Sequence, residues 1–240
     1  LDWFSRLDPP GYKISSGLLN HYHLIKNICR KNKPILLSTG LATIEEVDKV
    51  LKYLKLIKVN KIALLHCCSL YPTPDSLLNL STIKFFMDRY PLIPIGYSDH
   101  SLNSKSVICS IVLGARIIEK HFTLNKKRFS FDHKISCEPK ELKHLITEIN
   151  NVEKMLGSYK KNLSIKEKKN RNVMRRYIVA NRNLSKEQII RINDLSFKRL
   201  NKKKNAIGVE NLDKILGKKL KRNLTKEKPI IFSNIYEKKI

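Results

Sequence analysis

His100 and His121 each close a short β-rich stretch of the chain. Neutral imidazoles are ligands for Mn, Fe, Co or Zn rather than Mg or Ca. Two of them on one ion would leave positions open for water and substrate, the arrangement of a Lewis acid. A lone histidine near a strand end is more often structural, so the pair counts only if the fold brings the two rings together. Lys13, with Ser16, Ser38, Thr39 and Ser98, offers a compact ammonium and several hydroxyls, the donors a phosphate needs. The same residues read equally well as a solvated lysine and loop-capping serines. Asp132-His133 lies on a loop, as a holder of a sugar hydroxyl or an imidazole, or as a surface acid. Tyr71-Pro72 reads as a turn.

Parallel strands followed by helices would position such groups. β-rich runs fall at 12–15, 35–38, 61–67, 93–97 and 116–121, with helical patterns between them at 18–30, from Thr43, at 80–89 and at 104–113. Thr43-Ile44-Glu45-Glu46 is a capping box ahead of an apolar face at Val47, Val50, Leu51 and Leu54. A last helix begins near Pro139, carries Leu142, Leu145, Ile146, Ile149, Val152 and Leu156 on one side, and meets Gly157 as a C-cap. This rhythm is that of βα units with a parallel sheet, and the nearly all-apolar strands predict a sheet covered on both faces. Every strand ends in a polar cluster. An open sheet would decorate only its switch point, whereas a (β/α)₈ barrel builds its site from many strand ends. The fold class expected is therefore α/β: five βα units of a TIM barrel over residues 1–158, a polar linker at 159–174, and a small second domain at 175–240. The second domain predicts strands at 176–180 and 228–232 and a helix at 209–216.

The 240 residues carry 48 Lys and Arg against 21 Asp and Glu, a net charge of +27. The basic runs at 160–169 and 202–204 are not interleaved with aromatics as a base-stacking surface requires, which disfavours nucleic acid. Basic surface also favours the approach of polyanionic small substrates. The five cysteines form no CxxC pair, and no signal peptide or membrane span is visible, so free thiols in a cytoplasmic setting are expected. Cys67 and Cys68 are adjacent on a strand and must point to opposite faces.

In order, "KISS" (13–16), "KPILLSTGLATIEEV" (33–47), "LLHCCSLYPTP" (64–74), "IGYSDHS" (95–101), "LGARIIEKHFT" (113–123), "FDHKISCEPKEL" (131–142) and "MRRYIVA" (174–180) resemble the sialic acid synthase family, which includes the N-acetylneuraminate, legionaminic and pseudaminic acid synthases. The resemblance implies a (β/α)₈ barrel followed by a small antifreeze-like (SAF) domain. It also implies condensation of phosphoenolpyruvate with an N-acetylated sugar aldehyde, such as N-acetylmannosamine, with release of phosphate. The five strands match the last five of that barrel. The first three units and their essential glutamate are expected to be missing, so that this chain alone is poorly stable or inactive.

By the same resemblance His100 and His121 hold a divalent metal, Mn²⁺, and Lys13, Ser16, Ser38 and Ser98 hold phosphoenolpyruvate. Lys13, His100 and His121 are the catalytic residues it implies. Tyr71 and Asp132 fall at the sugar. Ser69 stands where some members carry Asn. Arg176 matches an arginine that contacts the N-acetyl group in the neighbouring subunit's site, which implies a domain-exchanged homodimer. Tyr177, Ser130-Phe131, Lys186 and Leu200 depart from the family's usual residues without removing a metal ligand. The alternative is a non-catalytic remnant or a basic module that binds sugar or phosphate without chemistry.

Overall fold

The computed structural model describes residues 6–129, 132–200 and 205–236, so Ser130-Phe131 and the basic run at 202–204 lie outside the described residues. The chain divides into two compact units, Leu1–Tyr159 and Lys160–Ile240.

The first unit is a five-stranded, all-parallel arc of the TIM-barrel type. Strands β1 (Tyr12–Ile14), β2 (Ile35–Ser38), β3 (Ile62–Cys67), β4 (Ile95–Asp99) and β5 (Ile118–Lys120) pair in sequence order. The helices are α1 (Tyr22–Cys29), α2 (Ile44–Leu56), α3 (Thr82–Arg89), α4 (Lys105–Val112) and α5 (Pro139–Leu156). The capping box of α2 forms as its sequence predicts, Thr43 and Glu46 bonding each other's backbone N–H. Pro139 opens α5 and Gly157 caps it. Two boundaries differ from expectation. β4 starts at Ile95 rather than 93, because Pro94 has no N–H to give the ladder, although its carbonyl still accepts from Leu64. The helix expected over 18–30 is a 3₁₀ turn at Ser16–Leu18 followed by α1, whose start is fixed by the His21 ring accepting from Leu24 N–H.

The pleat separates two sets of side chains. Ile14, Ile35, Leu37, Leu64, Ile95 and Tyr97 face the helices and form the core with Ile25, Val47, Val50 and Ile83. The alternate residues share the other face in register: Leu36 with Ala63, Ser38 with Leu65, Leu65 with Gly96, Cys67 with Ser98, and Ser98 with Glu119. A Cβ on Gly96 would lie 2.4 Å from Leu65 Cδ2 and 2.5 Å from the Ile117 carbonyl, so only glycine fits there.

Asp99 ties β4 to β5. Its buried carboxylate accepts from Tyr97 Oη, Ser101 N–H and Ser106 Oγ, and from Lys120 Nζ at 2.7 Å. His66 is buried on the helix side; its Nε2 lies 2.8 Å from the Leu78 carbonyl, and its ring stacks on Tyr97. Burial holds the His66 pKa below the ordinary value. The folded state then binds fewer protons than the unfolded one, so this group's contribution is complete above about pH 6.5 and is lost as pH falls towards the folded pKa. The urea midpoint is expected to drop between about pH 7 and pH 5 by more in the native chain than in His66→Gln. Identical slopes would refute that assignment.

The second unit opens with α6 (Ile165–Met174), within the segment that reads as a linker. Its capping box, Ser164 with Glu167, is present in the sequence, but its apolar residues, Ile165, Val173 and Met174, sit exposed at its two ends, so no apolar period marks it. β6 (Tyr177–Ala180) pairs antiparallel with β7 (Leu195–Lys198). The expected strand at 228–232 instead makes isolated bridges, Val179 with Pro229 and Ala206 with Ile231, and the expected helix at 209–216 is a 3₁₀ segment, Val209–Lys214. Further single bridges, Leu184 with Leu224, Ile189 with Lys219 and Leu220 with Ile235, close the unit around Ile178, Ile190, Ile215 and Ile230. Among the described residues no helix is long and apolar enough to cross a membrane.

Candidate active site

The shared face of the sheet carries its chemistry at the C-terminal strand ends. Alternation puts His100 on the side of Gly96 and Ser98, and His121 on the side of Glu119, so both histidines emerge above one rim. Their ring centroids lie 5.2 Å apart. Tyr71 packs against both, at 4.2 Å from His100 and 6.0 Å from His121. Lys13, Ser16, Ser38, Cys67, Ser98, Glu119 and the two histidines line one cleft of about 320 Å³. Lys13 Nζ is 3.1 Å from Glu119 Oε2, so the ends of the first and last strands of the arc meet across the cleft.

Gly40 sets the spacing of the loops. A Cβ there would come within 2.3 Å of Ser69 Oγ and 2.7 Å of Ser16 Oγ, so glycine lets these two hydroxyls approach the β2 loop. Ser38 Oγ and Ser69 Oγ are buried and make no hydrogen bond within the described residues, whereas Glu119 Oε2 is held by the Lys13 ammonium. Buried polar atoms are normally satisfied, so these two hydroxyls mark where a polar ligand would be received. Thr39 differs from expectation: its hydroxyl donates to the Leu65 carbonyl at 3.0 Å and is spent on the fold.

The His100 Nδ1 lies 2.8 Å from the Cys68 carbonyl, which accepts from it, and 3.8 Å from Cys67 Sγ. This leaves Nε2 as the nitrogen with a lone pair. Burial lowers the His100 pKa, but the bonds to Cys67 and to the Cys68 carbonyl outweigh it and the net shift is upward. For His121, burial and then the charge of His100 push the pKa down. Burial raises the Cys67 thiol, and the His100 and Ser16 contacts reverse this, so it ends below its ordinary value. Two imidazoles facing one cleft, one with its tautomer fixed by a carbonyl, are a donor set that fits a divalent transition metal. Among the described residues no cluster of three or more His, Cys, Asp or Glu forms, so water and substrate would complete the coordination.

Asp132 opens a 3₁₀ turn, with Oδ2 at 3.9 Å from His121 Nδ1. Arg176 precedes β6 in the second unit, exposed, with Nη1 3.5 Å from the Phe197 carbonyl. The structure thus gathers Lys13, Ser16, Ser38, Tyr71, Ser98, His100 and His121 in one cleft, sets Ser69 and Asp132 beside it, and places Arg176 in the other unit. Glu119 and Cys67 stand in the polar strand-end clusters of the sequence but are not among the site residues it predicts. The two-residue spacing of Glu119 from His121 was a readable signal for the first. For Cys67, alternation told only that it and Cys68 diverge, as they do: Cys68 Sγ donates to the Leu77 carbonyl at 3.1 Å.

Residues 1–161 match the NeuB family. Residues 175–240 match a family described as a chaperone for flagella basal body P-ring formation. An uncharacterized protein of Methanocaldococcus jannaschii is 40% identical over 97% of this chain and 67% of its own length. The N,N'-diacetyllegionaminic acid synthase of Campylobacter jejuni is 36% identical over 96% of this chain and 68% of its own. The crystal structure of an N-acetylneuraminic acid (sialic acid) synthetase from Leptospira borgpetersenii, in complex with citrate, superposes with a TM-score of 0.63 at 34% identity, over 68% of this chain and 57% of that one. The chain therefore spans about two thirds of the length of the curated relatives it matches.

Proposed function

The chain belongs to the NeuB family, a premise from which we propose that it carries the working rim of a nonulosonic acid synthase. The reaction joins phosphoenolpyruvate, a sugar aldehyde and water, and yields the nine-carbon keto acid and inorganic phosphate. The observation that carries this reading is the unpartnered buried hydroxyl of Ser38 in a cleft that also holds Lys13, Glu119 and two facing imidazoles.

Lys13, Ser16, Ser38 and Ser98 would bind phosphoenolpyruvate, the ammonium and the hydroxyls each taking a phosphate or carboxylate oxygen. Lys13 would then trade Glu119 for the substrate anion, and the freed carboxylate would face the reacting carbons. His100 and His121 would hold Mn²⁺. The ion, when bound, supplies Lewis acidity at the sugar's carbonyl oxygen. Tyr71 and Asp132 would orient the sugar from the outer side, with Ser69 at its edge. The substrate's methylene carbon forms the new C–C bond, water adds at C2, and C–O cleavage releases phosphate. Arg176 is assigned to the N-acetyl group in the site of the partner subunit of a domain-exchanged homodimer. The C. jejuni relative directs attention to a 2,4-diacetamido sugar beside N-acetylmannosamine.

The test is phosphate release by the natural full-length protein with phosphoenolpyruvate and Mn²⁺, each sugar being offered in turn. Sugar-dependent release is expected, and the preferred sugar assigns the branch. Saturable binding of phosphoenolpyruvate with no release for either sugar would refute the synthase in favour of a binding module.

A further inference from the structure

A second cleft of about 320 Å³ lies at the opposite ends of the strands. Lys26 and Arg30 reach it from the end of α1, Lys33 from the approach to β2, and Lys58 and Lys61 from the approach to β3. Among the described residues no carboxylate lines it. Asp8 reaches Lys33 at 2.9 Å, and among the described residues no acidic side chain pairs with the other four. The C-terminal ends of α1 and α2 point here, and together they offset roughly one positive charge of the five. The remainder form an unbalanced positive patch, which a bound polyanion would neutralise.

The cleft is not only charged. Ile57, Val59 and the half-buried Cys29 give it an apolar floor, and Asn32 and Asn60 bring side-chain amides to its edge. Its size falls at the lower end of small-molecule sites. A flat heterocycle suits the floor, amides suit the heterocycle's edge, and phosphates suit the lysines and Arg30. β3 alone, running from beside Lys61 to Cys67, separates this cleft from the histidine rim by roughly 20 Å. A ligand here cannot touch the reacting groups.

We propose that this cleft is a binding site for a nucleoside polyphosphate, distinct from the strand-end site. Its test does not depend on the condensation reaction. Calorimetric titration at about 150 mM salt, where long-range surface charge is screened, would use ATP, CTP, adenosine and inorganic pyrophosphate as probes. A nucleotide is expected to bind, adenosine and pyrophosphate each at least about tenfold more weakly. Lys58→Glu/Lys61→Glu, both exposed, is expected to weaken the nucleotide by about tenfold or more. Lys26→Gln/Arg30→Gln is a second variant that serves if the first misfolds by circular dichroism. Lys13→Ala, and a control reversal of Lys166 and Lys168 on α6, are expected to leave affinity within about twofold. The idea is overturned by absence of nucleotide binding, by loss in Lys13→Ala, by an equal loss in the α6 control, or by pyrophosphate matching ATP. Tighter binding of a single-stranded RNA than of any nucleotide, lost in the same variants, would overturn it in favour of nucleic acid.

Discussion

Asparagine at His100 is expected to lower turnover of the condensation by roughly 10³-fold, equivalent to about 4 kcal/mol of transition-state stabilisation, while the protein stays folded. The reasoning rests on the two ring nitrogens. Nδ1 is committed to the Cys68 carbonyl, a structural bond. An asparagine amide can still donate towards that carbonyl, but it has nothing in place of Nε2. The variant therefore separates the fold role of the ring from its proposed role as a donor to a metal. Elemental analysis after gel filtration is expected to show Mn²⁺ retained by the native protein and lost from His100→Asn and from His121→Ala. The second ring lies 5.2 Å from the first and has the same cleft before it. Retention of more than about a tenth of the activity in His100→Asn would contradict a metal-holding role.

Replacing Lys120 by methionine is expected to cost about 3–5 kcal/mol of stability, because it strands a buried carboxylate. Asp99 is fully buried and the Lys120 side chain is only 6% exposed. The Lys120 ammonium also donates to the Ser101 carbonyl. Set against a total of about 5–15 kcal/mol for a typical domain, such a loss leaves the chain close to its unfolding threshold. Removing both charges, in Asp99→Leu with Lys120→Met, is expected to recover part of it, since neither ion is then left alone. Urea unfolding of the single and double variants measures the coupling. A loss below about 1 kcal/mol in the single variant would place the pair in water rather than in the core.

Much of this architecture can be read before the structure is seen, for definite reasons. The run 62–65 is apolar on both faces, and with the βα rhythm around it reads as a covered strand. Thr43 and Glu46 declare the start of α2 by the bonds that their types must make. Legibility fails where the signal is not periodic. α6 buries no apolar face, and so its sequence resembles a linker. In the second unit the chain meets itself at single bridges, which leave no alternation to follow: Ile231 bridges Ala206 but belongs to no strand. The site divides in the same way. The strand-end position of His100 and His121 follows from the βα rhythm, and the pleat then forces them to one face. The Lys13–Glu119 ion pair joins the first strand of the arc to the last, and depends on a curvature that no local pattern records. Whether Thr39 serves a ligand or the fold is decided by one carbonyl, that of Leu65, from a different strand.

The single bridges of the second unit have a kinetic meaning. Leu184 meets Leu224, and Val179 meets Pro229, across long stretches of chain. Each such contact closes a large loop, and that entropy must be met before the neighbouring contacts can help. The unit has little to gain from partial assembly, and among the described residues it has no long hairpin to serve as a seed beyond the β6–β7 pair. Its opening should therefore be all-or-none, with slow exchange shared by residues as distant as Ile178 and Ile230. A protease would find this unit either intact or wholly open.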